Sequence, residues 1–174
     1  AAADARLDAL VAALQSDGKV LVAGMCYDCG PTTGGDTFIA RYTSTGSLDT
    51  TFGTSGWVIF DAVEGGTEYD YAMAIAIDYE GRIVVGGGAG SPPNELPYVA
   101  RRLANGGVDT SFAGSDGIRT LTALAAQHVT GIAVDPVLEK VFVATGEKLN
   151  PEPATCAIAR LRDTGSLDTS WSGD

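Results

Sequence analysis

Three aspartates at a fixed spacing are the first residues in this sequence that could do chemistry. Each is followed three positions later by an aromatic residue: Asp49 with Phe52, Asp109 with Phe112, and Asp168 with Trp171. Loop oxygens suit calcium, but a calcium loop gathers several carboxylates within a few residues, whereas each of these stretches supplies one. Aspartate is also favoured in turns, where its carboxylate accepts backbone N–H groups. We therefore predict structural turns anchored by the aromatic residues, and no metal site.

Three arginines share the same period. Arg41, Arg101 and Arg160 each stand eight residues before one of the aspartates. A ring of arginines could line a channel and bind an anionic ligand. A guanidinium also suits partly buried bidentate contacts, so each could instead pair with the aspartate of its own repeat or with a loop carbonyl. We favour the structural role because the arginine recurs in every repeat.

The CxxC motif of Cys26 and Cys29 is the only motif with chemistry that does not repeat. It could be half of a zinc site, a redox pair or a local disulfide. A structural zinc site needs further soft ligands, and only Cys156 and His128 remain. Redox catalysis would favour a helix N-terminus, whereas this pair lies in a loop rich in Gly, Pro and Thr after a predicted strand. We predict a disulfide that closes the loop, and we expect Cys156, which aligns with Thr37, to be a free buried thiol.

The remaining polar residues give weaker indications. His128 is the only histidine, and neither a serine elbow nor a paired carboxylate accompanies it. An acidic loop after the first repeat could bind a cation, but we favour a solvated loop; its residues are Asp61, Glu64, Glu68 and Asp70. The glycine-rich run 86–90 is not a phosphate-binding loop on this pattern, because no helix follows it. We predict no catalytic residue and no cofactor.

These residues are carried by a repeat of about 60 residues. The steps between the three aspartates are 60 and 59 residues, and a fixed period of this size indicates stacked supersecondary units. We place the repeats at 5–63, 67–123 and 127–174. The first two repeats each contain four strand-like segments separated by turns. The third contains three such segments up to residue 174.

The strand predictions rest on composition and alternation. The first segment of each repeat is small and apolar, and Ala1 to Gln15 alone also suits a helix, but the β-branched residues of the two later copies favour a strand. The second segment is a continuous apolar run, typical of a strand buried on both faces. Between them lies a tight turn, which we expect to be a two-residue hairpin turn in the first two repeats and a wider turn over Asp135–Lys140. Alternation in the third strand places Phe38 and Ala40 on one face and Ile39 and Arg41 on the other.

Composition excludes several classes of function. The formal charge is −11, from 22 acidic against 11 basic residues, and there is no basic run. Nucleic acids and anionic lipids are bound through clustered Lys and Arg, so neither is an expected partner. The apolar runs are also shorter than the roughly 20 residues that a membrane helix requires. We expect no membrane insertion.

At the turn and strand motifs the sequence resembles the bacterial delta-60 repeat. The matching pieces are Leu14–Gly24, the Ala-Arg pair of each third strand, and the three Asp-Thr-Ser/Thr-aromatic turns. The resemblance implies β-propeller blades, and such repeats typically occur in many copies in exported or surface proteins of poorly defined function. The family has no established catalytic residues, so none is carried over.

Together these features predict an all-β fold of three propeller-type blades. Each blade is a four-stranded antiparallel unit, with the last blade incomplete, and a propeller needs four to eight blades to close. We therefore expect half of a six-bladed propeller, completed by a second copy in a homodimer. The rival interpretation is a longer array, in which the remaining blades lie elsewhere in the same chain. The function we expect is a non-catalytic binding or scaffold module for an unknown protein or small ligand. The alternative is a propeller-fold hydrolase or lyase with a metal-dependent site at the central channel.

The expected location is secreted or periplasmic. The opening run of small residues, Ala1–Asp4, resembles the sequence around a signal-peptidase cut. Three cysteines neither require nor exclude an oxidising compartment.

Overall fold

The computed structural model describes residues 6–29, 34–63, 68–91, 94–124, 126–146 and 156–171. These residues form strands and turns, with no helix among them, so the all-β prediction is confirmed for this part of the chain. The strands are β1 (Arg6–Leu14), β2 (Val20–Tyr27), β3 (Gly35–Tyr42), β4 (Trp57–Phe60), β5 (Tyr69–Ile77), β6 (Ile83–Gly90), β7 (Leu96–Arg102), β8 (Ile118–Thr120), β9 (His128–Val134), β10 (Val141–Gly146) and β11 (Ala157–Leu161). The described part of the chain contains no helix long and apolar enough to cross a membrane.

Strands that follow each other in the sequence pair antiparallel. β1 to β4 form one such series, β5 to β8 a second, and β9 to β11 a third. The first two series are nevertheless joined, because Gly35 of β3 and Tyr69 of β5 form one parallel pair. The hydrogen bonds therefore give one eight-stranded sheet and one three-stranded sheet, and the sheets are not arranged as clearly separate blades.

The turn between the first two strands differs from the expected two-residue form. Gln15 N–H donates to Lys19 C=O and Gly18 N–H donates to Gln15 C=O, which leaves three residues in the loop. Gly18 has a φ of 84°, so glycine occupies the left-handed position that ends a three-residue hairpin loop. The prediction of a two-residue turn is therefore wrong, because the loop contains Ser16 and Asp17 before Gly18. The wider turn at Asp135–Lys140 is present, with Asp135 N–H donating to Lys140 C=O.

The apolar core lies between successive repeats. β6 is buried along its whole length, as its continuous apolar run predicts, but the prediction is wrong for β2 and β10, where buried residues alternate with partly exposed or exposed ones. Alternation in β3 also holds: Ile39 packs in a cluster with Phe52 and Tyr98, whereas Phe38 and Ala40 pack with Trp57 on the opposite face. One face of each repeat therefore contacts the next repeat, and this is where the repeated aspartates and arginines lie.

Candidate functional site

The repeated aspartates lie directly after a short hairpin that is the same in all three repeats. In the first repeat Thr43 N–H donates to Ser47 C=O, and Gly46 N–H donates to Thr43 C=O. Gly46 has a φ of 85°, a conformation in which glycine carries no steric cost. The hairpin turns the chain back so that Asp49 N–H reaches the carbonyl of Arg41. Local backbone geometry thus brings the two charged residues together.

Each aspartate uses its two carboxylate oxygens for different tasks. Oδ1 accepts the hydroxyl of the residue two positions later at 2.6 Å in every repeat, and it also accepts that residue's backbone N–H; the donors are Thr51, Ser111 and Ser170. Oδ2 accepts the Nε of the arginine eight positions earlier. These distances are 2.9 Å for Arg41–Asp49, 2.6 Å for Arg101–Asp109 and 3.0 Å for Arg160–Asp168. Both oxygens are therefore committed to contacts within the repeat.

These contacts favour the ionised carboxylates. The hydrogen bond from Thr51 holds the pKa of Asp49 well below its usual range, and the hydrogen bond from Ser170 does the same for the pKa of Asp168. Burial acts to raise the pKa of Asp109, but the hydrogen bonds from Ser111 and the charge of Arg101 outweigh it and lower that pKa. The three groups remain anionic at neutral pH because their donors solvate the charge in place of water.

The arginines of the first two repeats extend beyond their own repeat. Arg41 Nη1 donates to the carbonyl of Ala104 at 2.7 Å, and Arg101 Nη1 donates to the carboxylate of Asp163. Ala104 and Asp163 occupy the same position of the hairpin in the second and third repeats, five residues before the aspartate. Each guanidinium therefore connects its own aspartate to the hairpin of the following repeat.

The aromatic residue of the turn completes the contact between repeats. Phe52 lies under the guanidinium of Arg41, 4.7 Å from ring centre to Cζ, and Phe112 lies under Arg101 at 4.8 Å. Both rings are fully buried. A Cβ added to Gly106 would come within 3.1 Å of the Phe52 ring. Phe112 covers Gly165 at the same distance, so each ring requires a glycine in the hairpin of the next repeat.

The third repeat has the same arrangement of arginine, aspartate and aromatic residue, but its arginine and aromatic side chains are more exposed to solvent. The Arg160 side chain is 18% exposed, compared with 1% for Arg101, and Trp171 is 39% exposed. The Trp171 ring lies 5.7 Å from Cζ of Arg160 and packs edge-on against Phe142. Within the described residues, no hairpin covers this surface. The sequence repeats the arginine, the aspartate and the aromatic residue in all three copies, and the difference in exposure of the arginine and the aromatic residue appears only in the structure.

Cys26 and Cys29 lie together, as the disulfide prediction requires. Their Cα atoms are 5.7 Å apart and their sulfurs are in disulfide contact. Cys156, however, is exposed, so the expectation of a buried thiol is wrong. Thr37, with which it aligns, is buried because it pairs with β4 and because its hydroxyl contacts Tyr98 Oη at 2.7 Å. Among the described residues no strand lies beyond β11, and Cys156 lacks this cover.

Part of the acidic loop closes around a small cavity that the sequence did not predict. Asp36, Asp61, Glu68 and Asp70 line it, whereas Glu64 lies outside the described residues. Burial, together with a hydrogen bond to Asp61, raises the pKa of Asp70 to about 7. Asp70 also accepts the backbone N–H groups of Ala62 and Gly90. The carboxyl therefore holds this loop against β6, and its protonation changes near neutral pH.

The other candidates do not converge with these residues. His128 begins β9 and lies beside Tyr71, with ring centres 6.5 Å apart and the ring planes tilted by 52°. The glycine run 86–90 is part of β6. In the part of the chain that the structure describes, no group of three or more His, Cys, Asp and Glu side chains is arranged to hold a metal ion.

Comparison with known proteins supports the propeller resemblance for one segment. Residues 15–52 match a family described as a domain of unknown function (DUF5122) beta-propeller. This segment runs from the first turn through β2 and β3 to Phe52, and it contains Arg41 and Asp49. No curated protein matches the chain. The segment is therefore similar to a β-propeller domain, and the comparison indicates no ligand or activity for it.

Proposed function

We propose that this chain is a non-catalytic β-propeller interaction module built from three repeats of the delta-60 type. In this proposal a second copy supplies three further repeats, and the two copies form a six-bladed ring. The ring presents its loops to a protein or small ligand that remains unnamed. Its location is secreted or periplasmic, which fits the contact between Cys26 and Cys29, because disulfides persist in oxidising compartments.

One observation carries the proposal. The charged residues best suited to binding or catalysis are Arg41 with Asp49 and Arg101 with Asp109. Their side chains are used in contacts that join one repeat to the next. Their charges are paired and largely buried rather than directed at a cavity. This use of charge is expected of a scaffold, in which each repeat mainly contacts its neighbours.

The order of the strands supports a ring. β5 packs between β1 and β9, so the first strands of the three repeats lie side by side. First strands that converge in this way are expected around a propeller axis. A ring requires four to eight blades, and three repeats from each of two copies fall within that range.

Sedimentation velocity between about 1 and about 100 µM, combined with small-angle scattering, tests the proposal. We expect a species of twice the 17.8 kDa of one chain, with the scattering profile of a flat closed ring. A monomer over the whole concentration range would refute the assembly. Metal analysis of protein purified without chelators addresses catalysis, since a stoichiometric metal ion would favour the metal-dependent enzyme instead.

A further inference from the structure

We infer that the exposed surface formed by Arg160 and Trp171, here called the open face, binds the Thr43–Ser47 hairpin of a second copy of this chain. Arg160 Nη1 would donate to the carbonyl of Ser44, and Trp171 would cover Gly46. This inference deepens the proposed function and rests on its assembly. It names the residues through which the two copies meet.

The two contacts inside the chain show what the open face should bind. In both, the arginine Nη1 reaches the residue five positions before the next aspartate, and the aromatic ring covers the glycine three positions before it. The backbone joins the same places, because Gly53 N–H donates to Asn105 C=O and Ala113 N–H donates to Thr164 C=O. The same contact is thus made twice with different side chains, and it depends mainly on the shape of the hairpin.

The open face has the donor half of this contact ready. Nε and Nη2 of Arg160 are used on Asp168, at 3.0 Å and 2.8 Å. Its Nη1, the atom that crosses to the next repeat in both other copies, has no acceptor among the described residues. Trp171 provides a larger ring than the two phenylalanines, and 39% of its surface is exposed.

The Thr43–Ser47 hairpin has the acceptor half. Its closing hydrogen bond, Thr43 N–H to Ser47 C=O at 2.7 Å, matches the 2.8 Å bonds that close the two covered hairpins. Ser44 packs on Gly18, as Ala104 packs on Gly81 in the second repeat. Gly106 and Gly165 are buried, whereas Gly46 is exposed and a Cβ built on it would meet no atom within 4 Å. The first hairpin is therefore folded like the others but uncovered.

A second copy is the occupant that these observations favour, because one chain carries both halves of the contact. A twofold arrangement joins the open face of each copy to the hairpin of the other and forms two equivalent contacts at once. The result contains six repeats and leaves neither half exposed. A cation meeting a carbonyl oxygen also adds no like-charge repulsion between two chains that each carry a net charge of −11.

The third repeat suggests a pair of opposite test variants. Position 163, equivalent to Ser44, is an aspartate that accepts directly from Arg101. Because a dimer would gain two partly exposed ion pairs, Ser44→Asp should tighten association about 3-fold to 10-fold. Ser44→Arg places a cation against Arg160 and should weaken association at least about 10-fold. Ser44 is exposed, so both variants should fold, and Asn94→Arg, which adds the same charge to an exposed loop of the middle repeat, is the matched control.

Dissociation constants from sedimentation give the readout, with far-ultraviolet circular dichroism to check folding. Weakening by Ser44→Arg without weakening by Asn94→Arg supports the contact. A dimer that neither Ser44 variant alters would overturn it while leaving the proposed assembly intact. A parent chain that stays monomeric would overturn both.

Complementation tests the direction of the contact. Arg160→Lys retains a charge for Asp168 but loses the fork that reaches two acceptors at once. Alone, Arg160→Lys and Ser44→Arg should each associate weakly, because each damages both twofold-related contacts. Mixed, they should form a heterodimer with one intact contact, between the open face of the Ser44→Arg chain and the hairpin of the Arg160→Lys chain. A mixture that associates no better than either variant alone would refute the pairing of open face with hairpin.

Discussion

Replacing Asp109 with alanine should destabilise the fold more than a turn residue normally does. The side chain of Arg101 is 1% exposed, and its guanidinium donates to Asp109, Asp163 and Ser111. Asp109→Ala removes the buried acceptor and leaves the charge facing Asp163, whose side chain is 40% exposed. It also leaves the N–H and hydroxyl of Ser111 without their acceptor. The variant therefore removes one partner of a buried ion pair as well as a turn.

The expected loss is about 3 kcal/mol. Removing one partner of a buried pair costs about 3–5 kcal/mol, and the contact that Arg101 retains with Asp163 places this case at the lower end. A turn carboxylate that only satisfied backbone donors would contribute about 1–2 kcal/mol. The two accounts therefore differ by an amount that equilibrium unfolding resolves.

Urea unfolding followed by tryptophan fluorescence measures the loss at one fixed protein concentration, because association adds to apparent stability. With a slope near 2 kcal/mol per M, the midpoint should fall by about 1.5 M. Asp168→Ala is the matched control. The Arg160 side chain is 18% exposed and can turn toward water, so this variant should lose less unfolding free energy than Asp109→Ala.

The double variant Arg101→Met with Asp109→Ala isolates the buried charge. We expect it to be more stable than the sum of the two single changes predicts, because it leaves no unpaired cation. Equal losses for Asp109→Ala and Asp168→Ala, together with additive single changes, would show that the turn matters and the buried ion pair does not.

Three further predictions address other parts of the molecule. Burial and the neighbouring carboxylate of Asp61 raise the folded-state pKa of Asp70 from 3.8 to about 7, so its protonation stabilises the fold. Stability should therefore fall as the pH rises from about 4 to about 7. Urea midpoints should fall less over this range in the Asp61→Asn variant than in the parent chain. Titration of unreduced native protein with a thiol reagent should find one reactive thiol, Cys156, whereas three would contradict the CxxC disulfide. At concentrations where the chain is monomeric, Gly106→Ala should lower the melting temperature more than Gly46→Ala. Both residues have positive φ, but only Gly106 is covered by a ring. Equal losses of melting temperature would indicate that the backbone conformation alone determines the cost of the substitution.

The sequence was enough to predict several features that depend on neighbouring residues, although not the length of the first hairpin loop. The wider turn predicted over Asp135–Lys140 is closed by Asp135 N–H donating to Lys140 C=O. The eight-residue separation of Arg41 and Asp49 indicates a contact because a tight hairpin lies between them. Hydrogen bonds of this kind close over a few residues, so glycine and aspartate in the right order are sufficient to encode them.

The tertiary structure decided what depends on residues far apart in the chain. Cys156 aligns with Thr37, yet one is exposed and the other buried, because cover comes from Tyr98, 61 residues after Thr37. Likewise, Arg101 and Arg160 occupy the same position of the repeat, eight residues before an aspartate, and the packing of the following hairpin accounts for their different burial. A repeat pattern specifies each unit separately, whereas burial depends on what the neighbouring unit places against it. This is why the arginine, aspartate and aromatic residue recur alike in the three copies, whereas the exposure of the third set is seen only in the structure.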